Sequence, residues 1–299
     1  MRDNLVLTCG ILLIMAQPIV QDIIRLVAIA VIGLAAFWAG LWIWGNWNDE
    51  WSGFNAQFTV SDGSCNVAVV PIAGDITTFT NTERDPADPQ ADAYPIANVD
   101  DVLYQLRLAE SDPYVEGILV IIDSLGGTPV ASEILADAIK ASSLPVAALI
   151  REYGISGGYL AATGADTIFA SPLSDVGSIG ITMSYVENVE QNTKEGLRYV
   201  QLSSAPFKDY GDPNKPLTAA ERALFERDLK IYHDEFVRQV AENRNMPVEK
   251  VEKLADGSSM PGALALERGL IDTLGNQDST RAWFAKQLDL TVPDITFCE

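Results

Sequence analysis

The chain has 299 residues, of which 48% are hydrophobic, so it can bury one sizeable core and also supply a membrane segment. Its formal net charge of −21 argues against nucleic acid as a partner, because an acidic surface repels phosphates. The chain has one histidine and neither a Cys-x-x-Cys nor a His-Glu-x-x-His motif. We therefore expect no metal site and no cofactor.

Two apolar runs lie near the start of the chain. Leu5 to Ala16 is too short to span a bilayer comfortably, and it is an interfacial anchor, a signal-like segment or the result of a start codon assigned too early. Leu26 to Trp44 is an uncharged run of nineteen residues, which is long enough to cross the hydrocarbon core. Tryptophans crowd its C-terminal end, as in an interfacial aromatic belt: Trp38, Trp42, Trp44, Trp47 and Trp51. The pattern predicts an N-terminal segment over residues 1–25 and one transmembrane helix over residues 26–44.

The charges that flank this helix predict its orientation. Arg25 lies on its N-terminal side, whereas Asp49 and Glu50 follow it and the next basic residue is Arg84. The positive-inside rule then places the N-terminus in the cytoplasm and the bulk of the chain outside it. Counting Leu5 to Ala16 as a second span would reverse the placement of the N-terminus. We expect a single-pass protein of the cell membrane, in contact with lipid.

Beyond a polar linker over residues 45–66, residues 67–299 alternate between apolar runs and helical patterns. The predicted strands are Val67 to Ile72, Gly117 to Ile122, Val146 to Ile150, Thr167 to Ala170 and Ile179 to Ser184. Four helices are predicted. The first begins at Asn98, the second and third cover Pro129 to Ser142 and Gly157 to Ala165, and the fourth runs from a Thr218-x-x-Glu221 capping box to about Asn243. This alternation predicts an α/β domain with a largely parallel sheet covered by helices.

Two features of this domain have alternative interpretations. Thr77 to Pro95 is rich in Asp, Pro and Thr, and it is either a plain surface loop or a mobile loop over a substrate groove. Cys65 and Cys298 flank the domain, and they either pair in an oxidising compartment or stay free thiols, because sequence does not fix their distance. Cys9 is interpreted as a buried cysteine.

Three turns that contain glycine follow predicted strands. Ser156 heads the stretch Ile155 to Thr163, where it is either a helix cap or a nucleophile mounted on a sharp strand-to-helix turn. Gly126-Gly127 ends another strand, and its uncovered N–H groups are suited to hold an oxyanion. Ser178 lies between Gly177 and Gly180, where an ordinary turn between strands is the alternative.

In this order, the turns resemble the signal peptide peptidase A family of membrane-bound serine proteases, over about Val67 to Gly275. The resemblance implies a Clp protease and crotonase-like fold, a repeated β-β-α superhelix. The ending that begins at Pro261 also resembles the family, and the absence of an internal repeat indicates its single-length form. One departure is Ser124-Leu-Gly-Gly in place of the usual Ser-Pro-Gly-Gly, so Leu125 loses the fixed φ of proline and a subtle change in loop stiffness is expected.

The resemblance also implies roles for individual residues. Ser156 would be the nucleophile, Lys208 the base, and Ser178 the hydroxyl that orients the base. The oxyanion would bind at Gly126 and Gly127. Extended peptide substrates would pair with strand edges beside the glycine turns, with Gly157, Gly158 and Gly177 in the binding site. The family's single-length members form closed rings in which neighbouring protomers share a dyad, so a homo-oligomeric ring is expected.

The residues themselves support a lysine base by elimination. The single histidine, His233, lies beside Asp234 and off the apolar seam of a helix, so it is interpreted as a solvated residue. A serine enzyme without a usable histidine needs another base, and lysine qualifies where burial and the lack of a carboxylate partner lower its pKa. Without the resemblance, Lys208, Lys194 and Lys215 remain equal candidates.

These observations predict a membrane-anchored serine endopeptidase with a Ser-Lys dyad. The family resemblance implies cleaved signal peptides and other apolar membrane-associated peptides as substrates. One alternative is a related protease that cleaves stomatin-like membrane proteins. Another is a catalytically silent scaffold or a crotonase-type acyl-CoA binder, although the chain has no basic patch for the phosphates of CoA.

Overall fold

The computed structural model describes residues 60–79 and 95–298 of the chain. The predicted N-terminal segment, the predicted transmembrane helix and the linker as far as residue 59 lie outside these residues, as does most of the loop from Thr77 to Pro95. Within them, no helix is both long and apolar enough to cross a bilayer. Residues 60–66, at the end of the predicted linker, pack on the domain, since the buried Ser61 N–H donates to Asp112 Oδ2 over 2.9 Å.

The described residues form one largely parallel sheet. Its strands are β1 (Val67–Thr77), β2 (Ile96–Asn98), β3 (Gly117–Gly127), β4 (Val146–Ile155), β5 (Thr167–Ala170), β6 (Asp175–Gly177), β7 (Ser259–Pro261), β8 (Thr273–Leu274) and β9 (Phe297–Cys298). The main path has the order β2-β1-β3-β4-β5-β8, with β9 beside β1 and β6 beside the end of β4. Among the described strands, only the β6–β7 pair is antiparallel.

Helices cover both faces of the sheet. They are α1 (Val99–Ser111), α2 (Pro129–Lys140), α3 (Gly157–Ala162), α4 (Val189–Lys194), α5 (Ala219–Asn243), α6 (Val248–Glu252), α7 (Gly262–Arg268) and α8 (Gln277–Gln287). Successive residues of a strand point to opposite faces. Ile118, Val120 and Ile122 therefore join the larger core, whereas Leu119 joins a smaller core with Phe284 of α8. The predicted α/β class with a parallel sheet is confirmed.

Two predicted strands continue beyond their apolar runs. The strand whose apolar run ends at Ile122 continues to Gly127, and the strand whose apolar run ends at Ile150 continues to Ile155. Their polar ends remain paired, for example Ser124 with Gly154. Both ends therefore reach the same edge of the sheet, where the glycine turns meet. The predicted capping box is confirmed, with Thr218 and Glu221 satisfying each other's backbone N–H groups at the start of α5.

The predicted strand from Ile179 to Ser184 is wrong. The strand at this point is Asp175–Gly177, and it ends because Ser178 has a φ of +52°, which is outside the range of extended backbone. Residues 182–187 are exposed and form no helix or strand. The apolar residues of this run therefore lack a partner strand within the described part of the chain.

A disulfide joins Cys65 to Cys298, with 5.2 Å between their Cα atoms. The bond closes a loop across a sequence separation of 233 residues, and it lies where β9 pairs with the start of β1. The sequence did not decide whether these two cysteines pair, and the sheet brings them together. Cross-linking residues so far apart removes conformational freedom from the unfolded chain.

We expect the double variant Cys65→Ser/Cys298→Ser to lose about 2–5 kcal/mol of unfolding free energy, the usual result of removing a native disulfide. The measurement is the denaturant midpoint of each protein with and without reductant. The wild-type midpoint should fall when reductant is added, whereas the variant serves as the control and should not respond. A wild-type midpoint that does not change on reduction would contradict the cross-link.

Candidate active site

Ser156 lies on a strained turn between β4 and α3. Its φ of +51° and ψ of −126° are unusual for a residue with a side chain. Its N–H donates to the carbonyl of Gly177 over 2.8 Å, and its hydroxyl makes no capping hydrogen bond to α3. The helix-cap interpretation fails on this point. The hydroxyl is instead held at the edge of the sheet on a turn like those that mount nucleophiles.

The glycine turn at the end of β3 lies directly against Ser156. A Cβ atom built on Gly126, whose φ is +116°, would lie 2.8 Å from Ser156 Cβ and 3.0 Å from Ser156 Oγ. Real Cβ atoms do not approach other atoms so closely. Gly126 is therefore required both for its backbone conformation and for the space that it leaves to the serine.

The N–H groups of the two predicted oxyanion residues point to different places. Gly126 N–H donates to Ser124 Oγ over 3.1 Å, so it is already used. Ile76 pairs with Gly127 and accepts from Thr128 N–H, which turns the N–H of Gly127 away from β1. A Cβ on Gly157 would lie 3.2 Å from Gly127 N, so this nitrogen lies beside the start of α3.

A second N–H at this point comes from α3 itself. Gly157 is the first residue of α3, where backbone N–H groups have no partner within the helix. Its nitrogen would lie 3.0 Å from a Cβ on Gly126. The N–H groups of Gly127 and Gly157 thus flank Ser156, an arrangement that can bind the oxyanion of a tetrahedral intermediate.

Ser124 holds the glycine turn in place, a role that residue patterns did not predict. Its side chain is buried, and its hydroxyl donates to the carbonyl of Gly74 over 2.6 Å while it accepts from Gly126 N–H. Gly158 packs against this residue, since a Cβ there would lie 2.8 Å from Ser124 O. Gly158 therefore packs α3 onto β3, and its substrate-binding role stays a prediction. The position of Ser124 two residues before a glycine pair was the available signal.

Ser178 is near Ser156 through Gly177, but its hydroxyl points elsewhere. It donates to the carbonyl of Gly257 over 3.0 Å, and its N–H donates to Ser258 O over 3.0 Å. Both Gly177 and Ser178 have positive φ, at +96° and +52°. The turn therefore positions the residue that accepts from Ser156 N–H, and within one chain Ser178 contacts neither Ser156 nor Lys208 by a hydrogen bond.

Lys208 is exposed, and it lies in a mostly exposed segment over residues 181–215, which we call the projecting segment. The side chain of Lys208 makes no ion pair or hydrogen bond with the residues that the structure describes. Over the same residues, no lysine is hydrogen-bonded to Ser156. The structure therefore does not bring the two predicted dyad residues together within one chain.

The other candidate lysines are paired with carboxylates. Hydrogen bonds to Glu221 over 2.6 Å and to Asp209 over 3.2 Å raise the pKa of Lys215, which keeps it protonated. Lys194 is exposed beside Glu190 at 3.9 Å. Although desolvation opposes the change, hydrogen bonds from Tyr199 and Lys215 lower the pKa of Asp209. Asp209 is thus engaged by other groups and does not pair with its neighbour in sequence, Lys208.

His233 lies on α5 and is half-buried, and its side chain makes no hydrogen bond within the described range. It does not line the cavity beside Ser156. Within the described residues, no group of three His, Cys, Asp or Glu side chains is placed to hold a metal ion.

A cavity of about 230 Å³ opens beside Ser156, between α2, α3 and α5. Most of its walls are apolar, and its polar lining groups include two carboxylates, an amide and three hydroxyls. The lining residues are Gly127, Pro129, Val130, Ser132, Glu133, Ser156, Gly157, Leu160, Ile181, Ile231, Tyr232, Glu235, Phe236 and Gln239. A larger cleft of about 740 Å³, lined by Arg151, Glu152 and Leu173 among others, includes none of the site residues.

Comparison with known proteins identifies the family. The model of peptidase family S49 matches residues 138–291, which is just over half of the chain and includes both Ser156 and Lys208. The chain belongs to peptidase family S49. The predicted resemblance is confirmed, as is the prediction of a serine protease at the level of this family.

Individual relatives agree with this assignment. A putative protease of Synechocystis is 34% identical over 62% of this chain and 67% of its own length. A putative signal peptide peptidase SppA of Enterococcus faecium is 31% identical over 68% of this chain and 59% of its own. The S49 chain thus spans about two thirds or less of the length of these relatives. A solved mutant of ClpP1 from Listeria monocytogenes covers 70% of the chain at 18% identity, with a TM-score of 0.45.

We expect Gly126→Ala to abolish peptide hydrolysis, because its methyl group would occupy the space of the Ser156 side chain. Gly63→Ala is the matched control: its φ of +92° causes similar backbone strain, but its Cβ would meet only the ring of Tyr114, at 3.6 Å. The measurement is kcat/KM for a peptide substrate together with the thermal midpoint of each variant. Activity in Gly126→Ala close to that of Gly63→Ala would contradict the site geometry.

Proposed function

We propose that this S49 chain is a membrane-anchored serine endopeptidase in which Ser156 is the nucleophile and Lys208 the general base. The observation that carries the proposal is the unbonded Ser156 hydroxyl on a strained turn, flanked by the N–H groups of Gly127 and Gly157. A free hydroxyl beside two N–H donors is the arrangement that acyl transfer requires.

The reaction follows from these positions. Neutral Lys208 takes the proton of Ser156 as Oγ attacks the peptide carbonyl carbon, and the oxyanion binds the N–H groups of Gly127 and Gly157. The lysine ammonium then protonates the leaving amine, the C–N bond breaks, and an ester remains on Ser156. Water attacks this ester while the lysine accepts its proton. The peptide acid leaves, and Ser156 regains its proton.

A lysine base has to come from a neighbouring protomer. Lys208 is exposed in the single chain, yet a lysine becomes a base at neutral pH only when burial disfavours its charge. The projecting segment also exposes large apolar side chains, which mark surfaces of association: Met183, Tyr185, Val186, Leu197, Val200, Leu202 and Phe207. A head-to-tail homo-oligomeric ring would cover these side chains and bring Lys208 to the next Ser156.

Apolar peptides are the substrates that the site favours. The cavity beside Ser156 has mainly aliphatic and aromatic walls, which suit the apolar part of a substrate side chain. An extended peptide would add its backbone at the edge of the sheet where Gly157 and Gly177 lie. Cleaved signal peptides have this apolar character.

The proposed location is the cell membrane, with the catalytic domain outside the cytoplasm. The disulfide between Cys65 and Cys298 supports this placement, because disulfides persist in oxidising compartments. The predicted span over residues 26–44 would supply the anchor and the contact with lipid.

The alternatives differ in what the site must contain. A related protease for stomatin-like membrane proteins would use the same dyad and differ in its partner alone. A silent scaffold would have no reason to keep the strained Ser156 turn, which costs about 1–3 kcal/mol.

The proposal is tested by mixing two inactive variants. We expect Ser156→Ala and Lys208→Ala each to lose peptide hydrolysis by at least about a thousandfold, because a nucleophile or its base is missing. Coexpressed in equal amounts, they should regain about a quarter of the wild-type rate, since random cyclic assembly places an intact serine next to an intact lysine at about a quarter of the interfaces.

Lys194→Ala is the control for the loss of an exposed lysine, and it should remain active because a surface ion pair contributes little. Mass analysis has to show both inactive variants in one assembly. If such mixed assemblies stay inactive, the serine and the lysine do not meet between chains.

A further inference from the structure

The cavity beside Ser156 is not uniformly apolar, and this bears on which side chain it accepts. Glu133 of α2 lines it opposite Glu235 and Gln239 of α5. The amide nitrogen of Gln239 donates to Glu133 Oε1 over 3.0 Å and to Glu235 Oε1 over 2.8 Å. Two carboxylates therefore share one neutral amide within the cavity.

The two carboxylates differ in how they are neutralised. Hydrogen bonds from Arg238 and Gln239 lower the pKa of Glu235 to about 2, and Arg238 balances its charge. Glu133 has no cation within ion-pair distance among the residues that the structure describes. The cavity thus carries one net negative charge, and it belongs to Glu133.

The surrounding contacts show where Glu133 lies along the cavity. Pro129 at the start of α2 lies beside Gly127, next to the proposed oxyanion site. The opposite ends of the helices meet where Lys140 contacts Glu242 and where Thr163 accepts from Asn243. Glu133 is four residues along α2 from Pro129, which places it about 6 Å further along the helix axis from the end of the cavity that Gly127 lines.

The substrate residue whose carbonyl Ser156 attacks is called P1. Its carbonyl oxygen has to lie at the N–H groups of Gly127 and Gly157, and both residues also line the cavity. The P1 side chain therefore enters this cavity. Its first atoms meet aliphatic and aromatic walls, and only a long side chain reaches the carboxylate.

We infer that Glu133 is a specificity-determining residue that selects a P1 lysine or arginine, whose aliphatic stem lies along the apolar walls and whose cationic end pairs with the carboxylate. This inference rests on the proposed function and deepens it. Lysine and arginine combine a methylene stem with a charged head, as the cavity combines apolar walls with one charge. Signal peptides carry such residues just before their apolar stretch, so cleavage there would open the apolar segment at its start.

The test uses the full chain and three peptides that differ only at P1, with lysine, norleucine or glutamate. Norleucine keeps the stem of lysine without its ammonium group. We expect wild-type kcat/KM for the lysine peptide to exceed that for the norleucine peptide by about tenfold to a hundredfold, the usual effect of one charged hydrogen bond. Glutamate should be cleaved least.

Variants of Glu133 test whether this carboxylate causes the preference for lysine at P1. Glu133→Gln should reduce the lysine-to-norleucine ratio to near one, and Glu133→Lys should favour the glutamate peptide over the lysine peptide. Asp137→Asn is the matched control, since it removes an equal charge from the exposed side of α2 and should leave the ratio unchanged.

The outcomes separate the inference from the proposed function. Equal hydrolysis of the lysine and norleucine peptides by the wild type, or an unchanged ratio in Glu133→Gln, would overturn the role of Glu133 while the peptidase stands. If no peptide is cleaved and a fluorophosphonate does not label Ser156, the proposed function itself fails, and the inference fails with it.

Discussion

The backbone turn at Ser156 is the constraint on which the rest of the site depends. Its positive φ costs about 1–3 kcal/mol, and the hydrogen bond from its N–H to Gly177 offsets only part of this. Burial of α3 directly after the turn supplies more, with Tyr159 and Leu160 packed in the larger core. Tyr159 also donates its hydroxyl hydrogen to Leu270 O, which ties α3 to the segment before β8. The packing of the fold, and not the contacts of the site itself, therefore offsets most of the free-energy cost of this strained turn.

The same turn explains why several glycines meet at one edge of the sheet. Gly126 leaves space for the serine side chain, and Gly157 leaves space for Ser132, whose Oγ would lie 2.1 Å from a Cβ there. The Ser124 hydroxyl connects β3 to β1, because it donates to the carbonyl of Gly74 and accepts from the N–H of Gly126. The chain thus builds the proposed nucleophile and its proposed oxyanion donors from rigid elements. The proposed base, Lys208, is the part that a single chain does not bring to Ser156.

Part of this arrangement was predictable from sequence, because apolar runs and capping signals are local. The buried halves of β3 and β4 and the capping box of α5 follow from residue patterns alone. The polar ends of β3 and β4 could not be predicted from residue patterns, because they are strands only through their pairing with neighbouring strands. The strand expected from Ile179 failed because the backbone at Ser178 turns with a positive φ, which no apolar pattern reveals.

The candidate site was likewise only partly predictable from sequence. Ser156 and the glycine turns were predictable from their order, whereas the choice of Gly127 over Gly126 as a donor required the register of β1 and β3. Without the family resemblance, a preference for Lys208 over Lys215 requires the ion pairs of Lys215. The pairing of Cys65 with Cys298 depended on β9 lying beside β1.

The central claim is that Ser156 gains its base only in an assembly, and labelling by oligomeric state tests it most directly. The full chain is separated into monomeric and assembled fractions, each is treated with a fluorophosphonate, and modification of the peptide that contains Ser156 is measured by mass spectrometry. We predict rapid labelling in the assembled fraction and at least about a hundredfold slower labelling in the monomer, because a general base contributes about that much. Equal labelling rates in the two fractions would contradict a base supplied by the neighbouring protomer.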